Sequence, residues 1–144
     1  MSRERHVRNG ALYACHVFCP IILASLFYGV FCTDTMPGKW FSALFPWVQP
    51  LALDTNVVWY RLLRWYFADF CWAYALLFAL NFVWPQSRFR LAFVAITACV
   101  LVCLLEFLQV FSCIPGTFDG WDIVVECMAL GIALWILCRK EKRI

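Results

Sequence analysis

The chain has 144 residues, of which 65% are hydrophobic and only 15% are charged, and its formal net charge is +3. A water-soluble domain of this size could not cover so much apolar surface with so few polar residues, so the composition excludes that class and is typical of an integral membrane protein. The lysines and arginines flank apolar segments, which argues against a nucleic-acid partner. We therefore expect one transmembrane domain over residues 1–144.

Four apolar segments are predicted to cross a bilayer as helices, because about 20 residues at 1.5 Å per residue span the hydrocarbon core. The predicted spans are residues 11–32, 65–84, 91–113 and 121–138. The first span follows three arginines, as a signal peptide would, but it has no small-residue cleavage site before Asp34, so we expect it to be retained. The predicted fold is an all-α antiparallel bundle of four transmembrane helices.

The stretch between the first two spans, residues 33–58, is rich in proline and aromatic residues. Pro37, Pro46 and Pro50 exclude one long helix. Aromatic side chains such as Trp40 and Trp47 favour the membrane–water interface. We predict an aromatic interfacial loop on the outer surface.

The distribution of positive charge predicts the orientation. With four spans, the N-terminus, the 85–90 loop and the C-terminus lie on one side and carry nine of the twelve lysines and arginines. Such residues collect in short cytoplasmic segments. We predict a multi-pass protein of the inner or plasma membrane with both termini in the cytoplasm.

Most of the carboxylates fall on the opposite, outer side. Glu106 lies about two turns inside the third span, where a charged carboxylate costs at least about 2.5–3.5 kcal/mol and is expected to face the bundle interior. Gln109 shares its face by i,i+3 spacing, and Asp122 and Glu126 share a face by i,i+4 spacing. Spans three and four form a predicted hairpin, so the two polar faces should meet.

These residues and their neighbours form a predicted outward-facing pocket. At least one arginine is expected to pair with the acids, although the acids and arginines could instead only lock helices together. Thr117 or Asp119 could also cap the fourth span, and Asp122 suits its helix dipole. The predicted pocket comprises Glu106, Gln109, Asp119, Asp122, Asp69, Glu126, Arg61 and Arg64.

Few cofactors suit this sequence. Carboxylates can bind Mg²⁺ through their oxygens, and Glu106, Asp122 and Glu126 are the candidate ligands.

The nine cysteines form no CxxC and no zinc-like spacing, and we interpret them mainly as small buried residues. Cys32 and Cys113 are both expected near the outer face and could form a disulfide if their Cα atoms lie within about 7 Å.

Two short motifs near the acids have a recognisable pattern. Residues 106–109 read E-F-L-Q, residues 116–122 read G-T-F-D-G-W-D, and a helix rich in small residues follows. This pattern resembles the signature of the VanZ-like family of small multi-span bacterial membrane proteins, one member of which is associated with resistance to the antibiotic teicoplanin. The chain departs from the family's frequent residues at Gly116, where Arg often stands, and at Glu126, where Asn often stands. The resemblance implies a cell-envelope protein.

Three functions are compatible with these features. The first is binding of an amphiphilic ligand, such as a lipid-linked cell-wall intermediate or a lipoglycopeptide antibiotic, with arginines holding an anionic head group. The second is a metal-dependent enzyme acting on a lipid phosphate. The third is a cation-coupled transporter, which would need to form a homo-oligomer, or an interaction subunit. His6 and His16 are the only histidines and no nucleophile–base pair is legible, which argues against the second function. We prefer the first.

Overall fold

The computed structural model describes residues 2–49, 51, 57–84, 87–111 and 119–141, without the side chains of residues 2–9, 36, 37 and 141. These residues form five α-helices and no strand: α1 (Ser2–Phe31), α2 (Met36–Leu44), α3 (Val58–Val83), α4 (Arg90–Val110) and α5 (Gly120–Glu141). All but α2 contain a segment long and apolar enough to cross a membrane. The predicted all-α, multi-pass architecture is confirmed.

Helix α3 lies at the centre of the bundle. It packs against α1, α4 and α5, while α4 and α5 also pack against each other and α1 also contacts α2. The core is formed by apolar side chains of three helices, most of them small or medium in size: Ala73, Leu77 and Phe78 of α3, Val94, Ala98 and Val102 of α4, and Ala129, Leu130, Ala133 and Leu137 of α5. Large apolar side chains instead cover the outside of the bundle, as a hydrocarbon solvent requires.

Several helix ends differ from the predicted span limits, among them the start of α1 at Ser2, and two of the differences change the positions of predicted site residues. Helix α3 begins at Val58 instead of residue 65, because no proline or glycine interrupts the aromatic and apolar residues between these positions. Arg61 and Arg64 therefore lie inside the helix. Helix α4 ends at Val110 instead of residue 113, which places Glu106 four residues, or about 6 Å, from the helix end instead of the expected 10 Å.

The predicted interfacial loop contains a short helix. The Thr35 hydroxyl accepts the N–H of Gly38 at 3.3 Å and caps the start of α2, and the helix ends before Pro46. No long helix forms here, as the prolines predict. Trp40, Leu44 and Trp47 are exposed, so α2 and the turn after it present an apolar surface. Its placement at the membrane interface stays a prediction.

Glycines allow α2 to approach α1 closely. A Cβ on Gly29 would lie 2.2 Å from the ring of Phe41, and a Cβ on Gly38 would lie 2.2 Å from the carbonyl oxygen of Cys32. Neither distance is compatible with a side chain unless its surroundings move. We call the end of the bundle that carries α2 the α2 end, and the opposite end, which carries the start of α1 and the end of α5, the terminal end.

Candidate functional site

Each core helix carries a buried stripe of residues spaced four apart, and near the α2 end each stripe reaches a carboxylate. On α4 the stripe consists of Val94, Ala98, Val102 and Glu106. On α5 Glu126 lies four residues before buried Leu130, and on α3 Asp69 lies four residues before buried Ala73. Residues at this spacing share one face of a helix. The carboxylates therefore continue the faces that form the apolar core.

Glu106 is almost completely enclosed by the bundle. Its exposed fraction is 4%, and its Oε1 accepts a hydrogen bond from the Gln109 amide at 3.4 Å. The predicted common face of Glu106 and Gln109 is thus formed. The second carboxyl oxygen, Oε2, is buried and has no hydrogen-bond donor among the described residues.

Glu126 is enclosed even more fully, with an exposed fraction of 1%. The indole N–H of Trp72, on α3, donates to its Oε1 at 2.8 Å. Its Oε2 is also buried without a hydrogen-bond donor among the residues that the structure describes. Trp72 was not a predicted site residue, because tryptophan in a span usually indicates a lipid-facing or interfacial position.

The acids of three helices converge. Glu106 interacts electrostatically with Asp69 and Asp119, and Asp122 interacts with Asp69 and Glu106. Glu126 in turn interacts with the other three interior carboxyl groups. We call Asp69, Glu106, Asp122 and Glu126 the carboxylate cluster. Ionised groups that interact in this way repel one another, so a cation placed among them is stabilised.

Asp119 lies at the rim and caps α5. Its Oδ1 accepts the backbone N–H of Trp121 at 3.0 Å, and its carbonyl oxygen accepts the N–H of Asp122 at 3.0 Å. The phenol of Tyr66 donates to Oδ2 at 3.4 Å. The capping alternative is therefore confirmed for Asp119, while Thr117 lies outside the described residues. Capping accounts for Asp119 without a ligand.

Arg64 does not enter the carboxylate cluster but pairs with Asp34, in the turn between α1 and α2. Its Nη2 forms an ion pair with Asp34 Oδ2. This guanidinium holds the pKa of the Asp34 carboxyl below its ordinary value. An arginine was expected to pair with the acids of the predicted pocket, but Arg64 pairs with Asp34, which is not one of the predicted pocket residues. Arg61 is exposed.

Two tyrosines form hydrogen bonds between α1 and α3 near the Asp34–Arg64 pair. The Tyr28 hydroxyl donates to the carbonyl oxygen of Arg64 at 2.5 Å, and the Tyr60 hydroxyl donates to the carbonyl oxygen of Phe31 at 2.6 Å. Both bonds join α1 to α3. The α2 end of α1 is thus fixed to the central helix beside the Asp34–Arg64 pair.

The structure bears on the predicted metal site. Among the described residues, no group of three or more histidine, cysteine, aspartate or glutamate side chains is placed to hold a metal ion. Glu106, Asp122 and Glu126 thus do not form a ready three-ligand set.

Cys32 is buried, and burial raises the pKa of its thiol. Cys113 lies outside the described residues, so their disulfide stays a prediction.

A second polar group lies nearer the terminal end, between α1, α3 and α5. His16 Nδ1 and the Tyr74 hydroxyl share a hydrogen bond of 2.7 Å, and the imidazole stacks on Phe78 with ring centroids 4.2 Å apart. His16 therefore packs and hydrogen-bonds within its spanning helix. The Asn81 amide donates to the Tyr13 hydroxyl at 2.9 Å.

Comparisons with known protein families, with curated proteins and with solved structures find no match for this chain. The resemblance of residues 106–109 and 116–122 to the VanZ-like signature stays a prediction. Residues 116–118 of the second motif lie outside the described part of the chain.

Proposed function

We propose that this multi-pass membrane protein binds an amphiphilic ligand through a cationic group that enters the carboxylate cluster. The observation that carries the proposal is the pair of buried carboxyl oxygens, Oε2 of Glu106 and Oε2 of Glu126, that lack a hydrogen-bond donor among the described residues. A buried charge is costly unless it is paired and hydrogen-bonded. An ammonium group supplies both a positive charge and three donors.

The arginines favour a head group that also carries negative charge. Arg64 and exposed Arg61 lie near the α2 end of α3, outside the cluster. Guanidinium groups bind carboxylate and phosphate well, so an anionic part of the same ligand could meet them at the rim. Lipid-linked cell-wall intermediates and lipoglycopeptides combine a charged head with an apolar tail. The VanZ-like resemblance supports such a cell-envelope ligand.

Binding of a simple probe tests the proposal. Purified protein in a neutral maltoside detergent is titrated with radiolabelled dodecylamine, which is a single-chain cationic amphiphile. We expect saturable binding that the double substitution Glu106→Gln and Glu126→Gln weakens at least about tenfold, because a desolvated charge partner is lost.

Asp34→Asn is the matched control, because it removes an acid from the same end but outside the cluster. We expect it to leave the affinity for dodecylamine within about twofold, since the side chain is exposed. An equal loss in Asp34→Asn would contradict the proposal, and so would equally strong competition by uncharged dodecanol.

A second candidate function is cation- or proton-coupled transport. It is favoured by one observation, that carboxyl groups of three different spanning helices interact electrostatically with one another. Ionisable groups in such positions mark ion pathways and proton relays. We expect reconstituted protein to carry a cation or proton current into liposomes that Glu126→Gln abolishes. Liposomes without such a current would exclude this candidate.

A further inference from the structure

An apolar groove runs between α1 and α3 at the terminal end, far from the carboxylate cluster. It has a volume of about 220 Å³ and is lined mainly by Tyr13, Val17, Phe18, Ala79 and Phe82. These residues belong to the segments that can cross a membrane. A groove that is apolar and opens toward hydrocarbon suits a segment of a lipid acyl chain.

Tyr13 joins this groove to a buried amide. The tyrosine hydroxyl accepts a hydrogen bond from Asn81 Nδ2, and Asn81 itself has an exposed fraction of only 2%. The other end of the amide, Oδ1, is buried and has no hydrogen-bond donor among the described residues. Leaving a buried amide oxygen without a hydrogen-bond donor costs the fold about 1–3 kcal/mol of stability.

Lys140 of α5 brings a positive charge to the same tyrosine. Its Nζ lies 5.7 Å from the centroid of the Tyr13 ring and 5.3 Å from that of Phe78. The nitrogen is buried, with no hydrogen-bond acceptor among the side and main chains that the structure describes. The aromatic faces stabilise the ammonium in part, but no carboxylate of the described residues forms an ion pair with it.

We propose that this groove and its polar edge bind one anionic phospholipid. The acyl chain occupies the groove between α1 and α3, and the phosphate accepts hydrogen bonds from the Lys140 ammonium. A head-group hydroxyl donates to Asn81 Oδ1. Charge complementarity selects the lipid class, because the Lys140 ammonium lies over the ring of Tyr13, which also lines the apolar groove. This site has the opposite charge preference from the carboxylate cluster and lies at the opposite end, so it is independent of the proposed function.

Native mass spectrometry of the full chain in detergent tests this site with phosphatidylglycerol and phosphatidylcholine of the same chain length. We expect one retained phosphatidylglycerol, bound about tenfold more tightly than phosphatidylcholine, and we expect Lys140→Gln to remove this preference. Lys140→Arg keeps the charge and should keep the preference, which would assign the loss in Lys140→Gln to the charge, and unchanged binding of phosphatidylcholine by Lys140→Gln would show that this variant is folded.

Arg88→Gln is the charge control, because Arg88 is an exposed cation at the same end that lies over the Phe89 ring. It should retain the preference for phosphatidylglycerol. Ala79→Phe should lower retention of phosphatidylglycerol at least about fivefold by filling the groove, whereas Ala92→Phe on the exposed face of α4 should not. Equal effects of Lys140→Gln and Arg88→Gln, equal retention of the two lipids, or displacement by millimolar inorganic phosphate would overturn the proposal.

Discussion

At the scale of single residues, each of the two buried glutamates, Glu106 and Glu126, has an incomplete set of hydrogen bonds. Glu126 has one strong donor, the Trp72 indole at 2.8 Å, and Glu106 has one long bond from Gln109 at 3.4 Å. Each keeps one oxygen without a donor among the described residues. Such half-satisfied groups are costly to a fold and are common at functional sites. This is why the two residues carry the proposed function.

Removal of the Trp72 indole N–H tests how much Glu126 depends on it. We expect Trp72→Phe to lower the free energy of unfolding, measured by titration with SDS in mixed micelles, by about 1–3 kcal/mol. A buried carboxyl group then loses its donor. Glu126→Gln added to Trp72→Phe should recover part of the loss, because a neutral amide is less costly to bury than a charge.

Trp121→Phe is the control for this change, because the Trp121 side chain is exposed. It should alter the free energy of unfolding by less than about 0.5 kcal/mol. If Trp72→Phe were equally mild, the bond to Glu126 would contribute nothing measurable.

The Asp34–Arg64 ion pair gives a pH dependence with a defined sign. The Asp34 pKa is lowered in the fold from its ordinary value of 3.8, mainly by the hydrogen bond from Arg64. Its contribution to stability is therefore fully present above pH 3.8 and declines as the pH falls through the lower folded pKa. Because Asp34 has an exposed fraction of 67%, we expect at most about 1 kcal/mol.

Comparison with Asp34→Asn measures this contribution. The free energies of unfolding of the two proteins should differ by no more than that amount at pH 6 and should converge as the pH falls through the lowered pKa of Asp34. A difference that stays constant over this range would show that the carboxylate charge is not its source.

At the scale of secondary-structure elements, α2 depends on close contact with the end of α1. Gly38 is buried, and a Cβ there would meet the backbone of Cys32 and Thr33. Backbone atoms move less readily than the end of a side chain, so this position is more restrictive than Gly29, where the obstacle is a phenylalanine ring. The short helix thus needs both the Thr35 cap and a glycine.

Gly38→Ala tests this contact. We expect the free energy of unfolding to fall by about 1–3 kcal/mol through overpacking. Cys32, which is completely buried, should also become reactive toward a maleimide, as detected by mass spectrometry of its peptide. Gly131→Ala is the matched control, because a Cβ at this glycine of α5 would meet nothing within 4 Å. It should be neutral or slightly stabilising.

The presence of the spanning helices was more predictable than the residues at which they begin and end. Long apolar runs predicted the four spanning helices, because the period and length of such runs are local properties. The start of α3 at Val58 was missed because Arg61 and Arg64 lower the local hydropathy, although arginine is a good helix former. The helix α2 was missed because its prolines suggested a loop, although one of them suits the first turn of a helix.

At the scale of the whole molecule, the fold is organised around one central helix with two separate polar regions. The carboxylate cluster lies between α3, α4 and α5 toward the α2 end, and Lys140 and Asn81 lie toward the terminal end. The charge signs of the two regions differ. A bundle of this kind can present different chemistry to the two sides of a bilayer.

The predicted orientation is tested by reporter fusions. A green fluorescent protein fused after Ile144 should fluoresce, and alkaline phosphatase fused after Gln49 in the segment between α2 and α3 should be active, because the basic segments are expected to stay in the cytoplasm. The opposite pattern of activities would reverse the orientation and would assign the carboxylate cluster to the cytoplasmic half.

The sequence by itself determined the membrane class, the number of spanning helices and the position of acids near one end, since each follows from composition and local periodicity. It also predicted that Glu106 shares a face with Gln109 and that Asp119 can cap α5, because both are relations within a few residues. Only the tertiary structure decided that Trp72 donates a hydrogen bond to Glu126 and that Arg64 pairs with Asp34 instead of Glu106. Such partners depend on how each helix is rotated about its axis and on which helices touch, and packing across the whole bundle fixes both.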